Sequence, residues 1–262
     1  TSAVHNCAIG SRIGVVDTGV DAQHSALKAA RLTLRTIRSA DRPPSETDHG
    51  TAVVSLIAGA PGTSVVGLAH GADVFAADAF HGDGDAARAD AFDLVGALDW
   101  LASERVSTIN LSMTGPANPV LEKMVRLLIE RGIVIVAASG LPDSSAKSGD
   151  PGRYPGVYAV AAVDARLRPS RLSNRGDYIS FAAPGVGLVA ARSKDAIGRV
   201  EGTSFAAPFV TAAFAIGLRN GRGAADVATV LSETARDLGA KGRDPIFGWG
   251  LVQFDRLPGC SL

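Results

Sequence analysis

Six stretches of the chain are short, nearly unbroken apolar runs set between polar or glycine-containing segments. They are Arg12–Val16, Asp73–Ala77, Thr108–Leu111, Ile133–Ala138, Val157–Val163 and Tyr178–Ala182. Apolar runs of this length without polar alternation are what a strand buried on both faces requires, so each predicts a central strand. Between several of them the apolar residues return every three or four positions. In Ala86–Ser103, the residues Ala91, Leu94, Val95, Leu98 and Leu101 make one stripe, the signature of a helix with one buried face. Val120–Arg131, Phe205–Arg219 and Ala224–Ala235 behave alike, and Ala52–Ala58 is a further apolar helical run. Gly132 and the run Asn220-Gly221-Arg222-Gly223 supply stops. Strands alternating with helices predict an α/β fold of three layers, a mostly parallel central sheet with helices on both faces. In that architecture ligands sit beyond the carboxyl ends of strands.

No repeat, low-complexity tract or linker divides the 262 residues, so residues 1–262 are expected to form a single domain. An apolar content of 46% supports a packed core and excludes intrinsic disorder. Twenty-six basic side chains cancel 26 acidic ones, leaving no field to gather nucleic acid or an anionic membrane. The longest apolar stretches, Gly132–Ala138 and Thr211–Leu218, fall far short of the roughly 18 to 20 residues that span a bilayer. Thr1 is not an initiator methionine and no charged-then-apolar leader follows it. That start is either artificial or belongs to a mature form whose upstream segments have been removed. The two cysteines, Cys7 and Cys260, stand near opposite ends, outside any zinc-like cluster. They read as a disulfide made in an oxidising compartment or as two unrelated buried thiols.

Three motifs carry chemistry. Asp17 closes the first strand in Ile13-Gly-Val-Val-Asp17-Thr18-Gly19, where a carboxylate could bind Mg2+, orient a histidine or cap a turn. Asp48-His49-Gly50-Thr51 opens an apolar helical run. A histidine there suits proton transfer, or is a capping or surface residue, and the glycine lets another segment approach closely. Glu201-Gly202-Thr203-Ser204-Phe205-Ala206-Ala207-Pro208 leads into the next helix. Pro208 lacks an N–H, so a helix starting near Ser204 loses only the bond to the Ser204 carbonyl. The Ser204 hydroxyl then sits at the positive end of the helix dipole, as a nucleophile or as a helix cap.

An Asp, a His and a Ser in this order and these contexts resemble the subtilase family of serine proteases, from about Ala8 to Phe254. The resemblance implies that Asp17 orients His49, that His49 takes the proton of Ser204, and that Ser204 attacks a peptide carbonyl to give an acyl-enzyme. Ile109-Asn110-Leu111-Ser112-Met113-Thr114-Gly115 resembles the strand that pairs with an extended substrate, which favours peptide or unfolded protein substrates. Val136-Ala137-Ala138-Ser139-Gly140 resembles the opposite pocket wall, and Asp83-Gly84-Asp85 lies where a second pairing edge begins. The pocket-facing side chains of these walls are small and apolar, although Asp85 and Asp150 could favour basic side chains.

Leu141 departs from the pattern, because it stands where the family usually places an Asn that donates to the oxyanion. Losing that donor costs roughly 100- to 1,000-fold in kcat, unless Thr203, Ser144 or a rearrangement replaces it. The segment Ala60–Val66 has no carboxylate or amide side chain, so no calcium or other metal is expected there, and no cofactor. The expectation is a secreted or periplasmic serine endopeptidase, made as a longer precursor, with its propeptide or a proteinaceous inhibitor or activator as a further partner. The rival is an impaired subtilase that binds a peptide or protein. A nucleotide-binding α/β protein fails for want of any glycine-rich phosphate loop.

Overall fold

The computed structural model describes residues 7–82, 87–142, 149–219 and 221–257. Seven strands make the main sheet: β1 (Arg12–Asp17), β2 (Arg31–Thr36), β3 (Asp73–Asp78), β4 (Thr108–Leu111), β5 (Val134–Ala138), β6 (Tyr158–Val163) and β7 (Ile179–Pro184). Their order is β2-β3-β1-β4-β5-β6-β7, and every pairing is parallel. The five helices are α1 (Asp48–Ala58), α2 (Ala91–Ser103), α3 (Pro119–Glu130), α4 (Thr203–Leu218) and α5 (Ala224–Thr234). A two-stranded antiparallel hairpin, β8 (Val186–Arg192) and β9 (Ala196–Glu201), leads into α4.

Alternate residues of each central strand feed two separate cores, because successive side chains of a strand point to opposite faces. Ile13, Val15, Val74, Val136 and Val160 pack with α1, α4 and α5 on one face. Val16, Phe75, Ile109, Ile135 and Ala137 pack with α2 and α3 on the other. The three-layer α/β expectation therefore holds. The chain runs from β1 outward to β2 and β3, then crosses back to β4 on the far side of β1. That reversal opens a crevice beyond the carboxyl end of β1, the place where such sheets bind ligands.

All six expected strands form, displaced by at most two residues at an end. The helix expected over Ala86–Ser103 instead starts at Ala91, with Asp90 extended at its N-cap. Arg88 is already committed to a bridge with His81, exchanging backbone bonds of 2.8 and 2.9 Å. Two elements were not expected from the sequence. In β2, Arg31, Thr33 and Arg35 alternate with two leucines on a largely exposed edge. The β8–β9 hairpin turns at Lys194 and Asp195, both with positive φ, without the glycine or asparagine that usually announces such a turn.

Candidate active site

Asp17 ends β1, so its carboxylate emerges at the crevice while remaining 3% exposed. Its Oδ1 accepts the Thr18 N–H at 2.7 Å and lies 2.7 Å from His49 Nδ1. Its Oδ2 is buried with no hydrogen-bond partner, a costly arrangement of the kind that proteins keep at functional sites. The turn after Asp17 is braced from the neighbouring strand. Gly19 N–H donates to Ser45 Oγ at 2.9 Å, Ser45 Oγ donates to Asp78 Oδ1 at 2.8 Å, and Arg38 pairs with Asp78 Oδ2 at 2.6 Å. Desolvation raises the Asp78 pKa; Ser45 and Arg38 oppose the rise and the neighbouring Asp17 adds to it.

His49 is held by its own helix start. The Glu46 carboxylate accepts the backbone N–H groups of Asp48 and His49 at the head of α1, where the helix leaves N–H groups unpaired. Gly50 N–H donates to Thr18 Oγ1 at 3.0 Å. A Cβ at Gly50 would fall 2.4 Å from Thr18 O and 2.5 Å from Gly19 O, so only glycine lets α1 rest on the turn that follows Asp17. With Nδ1 turned to Asp17, Nε2 is left for the cleft. Phe205 packs near the imidazole with ring centroids 5.2 Å apart. Burial favours neutral His49, but the charge and hydrogen bond of Asp17, helped by Glu46 and opposed by Arg192, outweigh it and raise the pKa above 6.5. Beside it, Arg192 bonds Asp48 at 2.6 Å and holds that carboxylate down at about 2, with Ser193 assisting against desolvation.

Ser204 is the second residue of α4, an almost wholly buried apolar helix. Gly202 enters it at φ 145°, ψ 164°, a backbone conformation that residues with side chains rarely adopt. Ser204 N–H is thus among the unpaired donors at the positive end of α4. The half-buried Ser204 shares a cleft of about 560 Å³ with Asp17, His49, Ser112, Met113 and Thr114. An adjoining cleft of about 390 Å³ also uses Met113 and Thr114 and adds Gly115 and Asp150. Gly115 N–H donates to Asp150 O at 2.8 Å. The Asp150 carboxyl titrates above its ordinary range, because its desolvation exceeds the help from Arg153 and Glu122 adds to the rise.

Across the sheet lie the residues expected to form the opposite wall. Ala138 is fully buried at the end of β5, and Gly140 N–H donates to Thr203 Oγ1 at 3.2 Å, tying that wall to the start of α4. Leu141 is 53% exposed. Gly84, Asp85 and Ser144 lie outside the described residues, as does Cys260, while Cys7 is buried and not a free thiol. Among the described residues, no group of three or more His, Cys, Asp and Glu side chains could hold a metal ion. Thr18, Ser45 and Glu46 were not singled out in the sequence, and neither were Asn110 and Thr211. The last two did leave a signal, an amide between the apolar Ile109 and Leu111 and a hydroxyl within the otherwise apolar run 205–218.

Comparison with known proteins gives the same picture. The minor extracellular protease Epr of Bacillus subtilis (strain 168) is 30% identical over 249 residues, which cover 93% of this chain and 38% of that protein. This chain thus spans well under half the length of that relative. Subtilisin DY of Bacillus licheniformis is 29% identical, covering 87% of this chain and 84% of that one. The solved protease domain of PatA superposes with a TM-score of 0.79 at 26% identity, over 93% of this chain and 92% of its own. The subtilase family model matches residues 9–250, a span that runs from before the strand bearing Asp17 to beyond the helix bearing Ser204, and the chain belongs to that family.

Proposed function

We propose that this chain is a serine endopeptidase that hydrolyses peptide bonds through an acyl-enzyme, with Ser204 as nucleophile, His49 as its base and Asp17 as the group that orients and supports His49. The observation that carries this reading is the 2.7 Å contact between Asp17 Oδ1 and His49 Nδ1 beside a cleft that Ser204 also lines. Ser204 Oγ attacks the substrate carbonyl carbon while its proton passes to His49 Nε2. The imidazolium so formed is stabilised by Asp17 and then protonates the leaving amine, and water repeats the sequence to release the acid. The developing oxyanion is met by the Ser204 N–H at the head of α4. Substrates are extended peptides or unfolded protein segments that pair with residues 112–115, and a propeptide or protein inhibitor would occupy the same edge.

A second reading rests on Leu141. With an exposed leucine at the usual donor position, the oxyanion lacks a side-chain amide, and the protein would acylate slowly or act as a peptide binder until a partner completes the site. We place the protein outside the cytoplasm and infer a Cys7–Cys260 disulfide, in keeping with the extracellular relative Epr and with a Cys7 that is not a free thiol. Among the described residues, no helix is long and apolar enough to cross a membrane. The function is tested with Asp17→Asn, which should keep its melting temperature but hydrolyse casein roughly 10⁴-fold more slowly. Unchanged turnover by a folded Asp17→Asn would overturn the assignment.

A further inference from the structure

Pro208 sits inside α4 four residues after Ser204. Because proline has no N–H, the carbonyl of Ser204 cannot make its helical bond. The structure supplies a replacement from outside the helix. Ser112 Oγ donates to Ser204 O at 2.6 Å, Asn110 Nδ2 donates to Ser112 Oγ at 2.8 Å, and Thr211 Oγ1 donates to Asn110 Oδ1 at 2.9 Å. The Ser112 and Asn110 protons have one possible direction each, while the single Thr211 proton has two acceptors, Asn110 Oδ1 at 2.9 Å and, within the helix, Ala207 O at 3.1 Å. A carbonyl only accepts, so the single hydroxyl proton of Ser112 goes to Ser204 O. Ser112 Oγ must then accept from the amide face of Asn110, which leaves the amide oxygen to accept from Thr211. Asn110 and Thr211 are fully buried and Ser112 is 4% exposed, so water does not compete for these bonds.

We propose that Ser112, Asn110 and Thr211 are positioning residues, a relay that fixes the backbone of Ser204 from the substrate-pairing strand instead of from within α4. This inference rests on the reading of Ser204 as nucleophile. An ordinary helical bond would tie the Ser204 carbonyl only to its own helix. The bond from Ser112 ties it to the end of β4, which continues directly into Met113, Thr114 and Gly115 along the cleft. Nucleophile and bound peptide are thereby referenced to the same strand. Thr211 returns the chain to α4 two turns further on, so the relay clamps the helix at two points. The loss of the Pro208 bond is what makes the carbonyl available to the strand.

The test is a double-mutant cycle on the full chain, read as the rate constant for labelling by a fluorophosphonate and as kcat and KM on a peptide ester, with melting temperatures alongside. Ser112→Ala should slow labelling and kcat by roughly 10- to 100-fold with a smaller change in KM. Ser112→Thr, which keeps a hydroxyl, should recover much of that loss. In a Pro208→Ala background, residue 208 again offers an N–H to Ser204 O, and Ser112→Ala should cost several-fold less. Thr211→Val touches neither Ser204 nor substrate and should slow labelling in the same direction. Equal losses in both backgrounds, or wild-type labelling by folded Ser112→Ala, would overturn the relay. If Pro208→Ala does not fold, wild-type labelling by Thr211→Val does so instead. A wild type that never labels overturns the nucleophile itself and the relay with it, so the two failures are told apart.

Discussion

Replacing Gly50 by alanine is a one-carbon change with a worked consequence. The new Cβ would lie 2.4 Å from Thr18 O and 2.5 Å from Gly19 O, about 0.9 Å inside an ordinary carbon–oxygen contact of about 3.3 Å. Both obstructing atoms are backbone, and β1, which leads into them, is held on both sides by β3 and β4, so α1 is the part that must withdraw. Moving it by that distance stretches the His49–Asp17 contact from 2.7 Å to about 3.6 Å, outside hydrogen-bond range. It also breaks the Gly50 bond to Thr18 Oγ1. The expected losses are about 1–3 kcal/mol of stability from overpacking and roughly 100-fold in kcat/KM from the displaced imidazole. Gly62→Ala is the control. Gly62 has φ +81° with open space around its Cβ position, so alanine there costs about 1–2 kcal/mol of backbone strain and leaves the cleft untouched. Calorimetry and hydrolysis of a chromogenic peptide separate the two effects. A folded Gly50→Ala with wild-type kcat/KM would refute the claim that this glycine sets the Asp17–His49 geometry.

Two further substitutions probe charge and the oxyanion. Because His49 must be neutral to accept a proton and its pKa is raised, the acid limb of kcat/KM should lie above pH 6.5. Glu46→Gln removes one of the raising charges and should move that limb to lower pH; a limb that stays put or moves up contradicts the assigned cause. The sign for stability follows from the same shift. Protonated His49 contributes fully below the ordinary histidine pKa, and its contribution is lost as pH rises through the raised folded value. Leu141→Asn should raise kcat more than it changes KM, because a new amide strengthens its bond as negative charge develops. A fast wild type that gains nothing from this change would mean that another donor already fills the position.

The central strands were legible in the sequence because burial on both faces writes itself as an uninterrupted apolar run, as in Ile133–Ala138. The edge strand β2 was not, because Arg31, Thr33 and Arg35 face solvent and the strand owes its place to pairing with β3. Asp17, His49 and Ser204 stood out as candidates only together, because each motif alone also fits a turn, a cap or a surface residue, and it is their order and joint context that resemble the subtilase family. Thr18 Oγ1 and Glu46 could not, since the bonds they make to the head of α1 exist only once β1 and α1 are brought together. Asn110 is the intermediate case. A lone amide within Thr108–Leu111 announces a buried hydrogen bond, but its partners, Ser112 and Thr211, are fixed by where α4 packs on the sheet.

The most direct test of the account is to treat the wild-type protein with a fluorophosphonate and map the adduct by peptide mass spectrometry. One equivalent should be incorporated on the peptide containing Ser204. Ser204→Ala should take up none and hydrolyse no casein, and His49→Ala should label far more slowly. An adduct on another serine, or casein hydrolysis by Ser204→Ala at the wild-type rate, would contradict the assignment of the nucleophile.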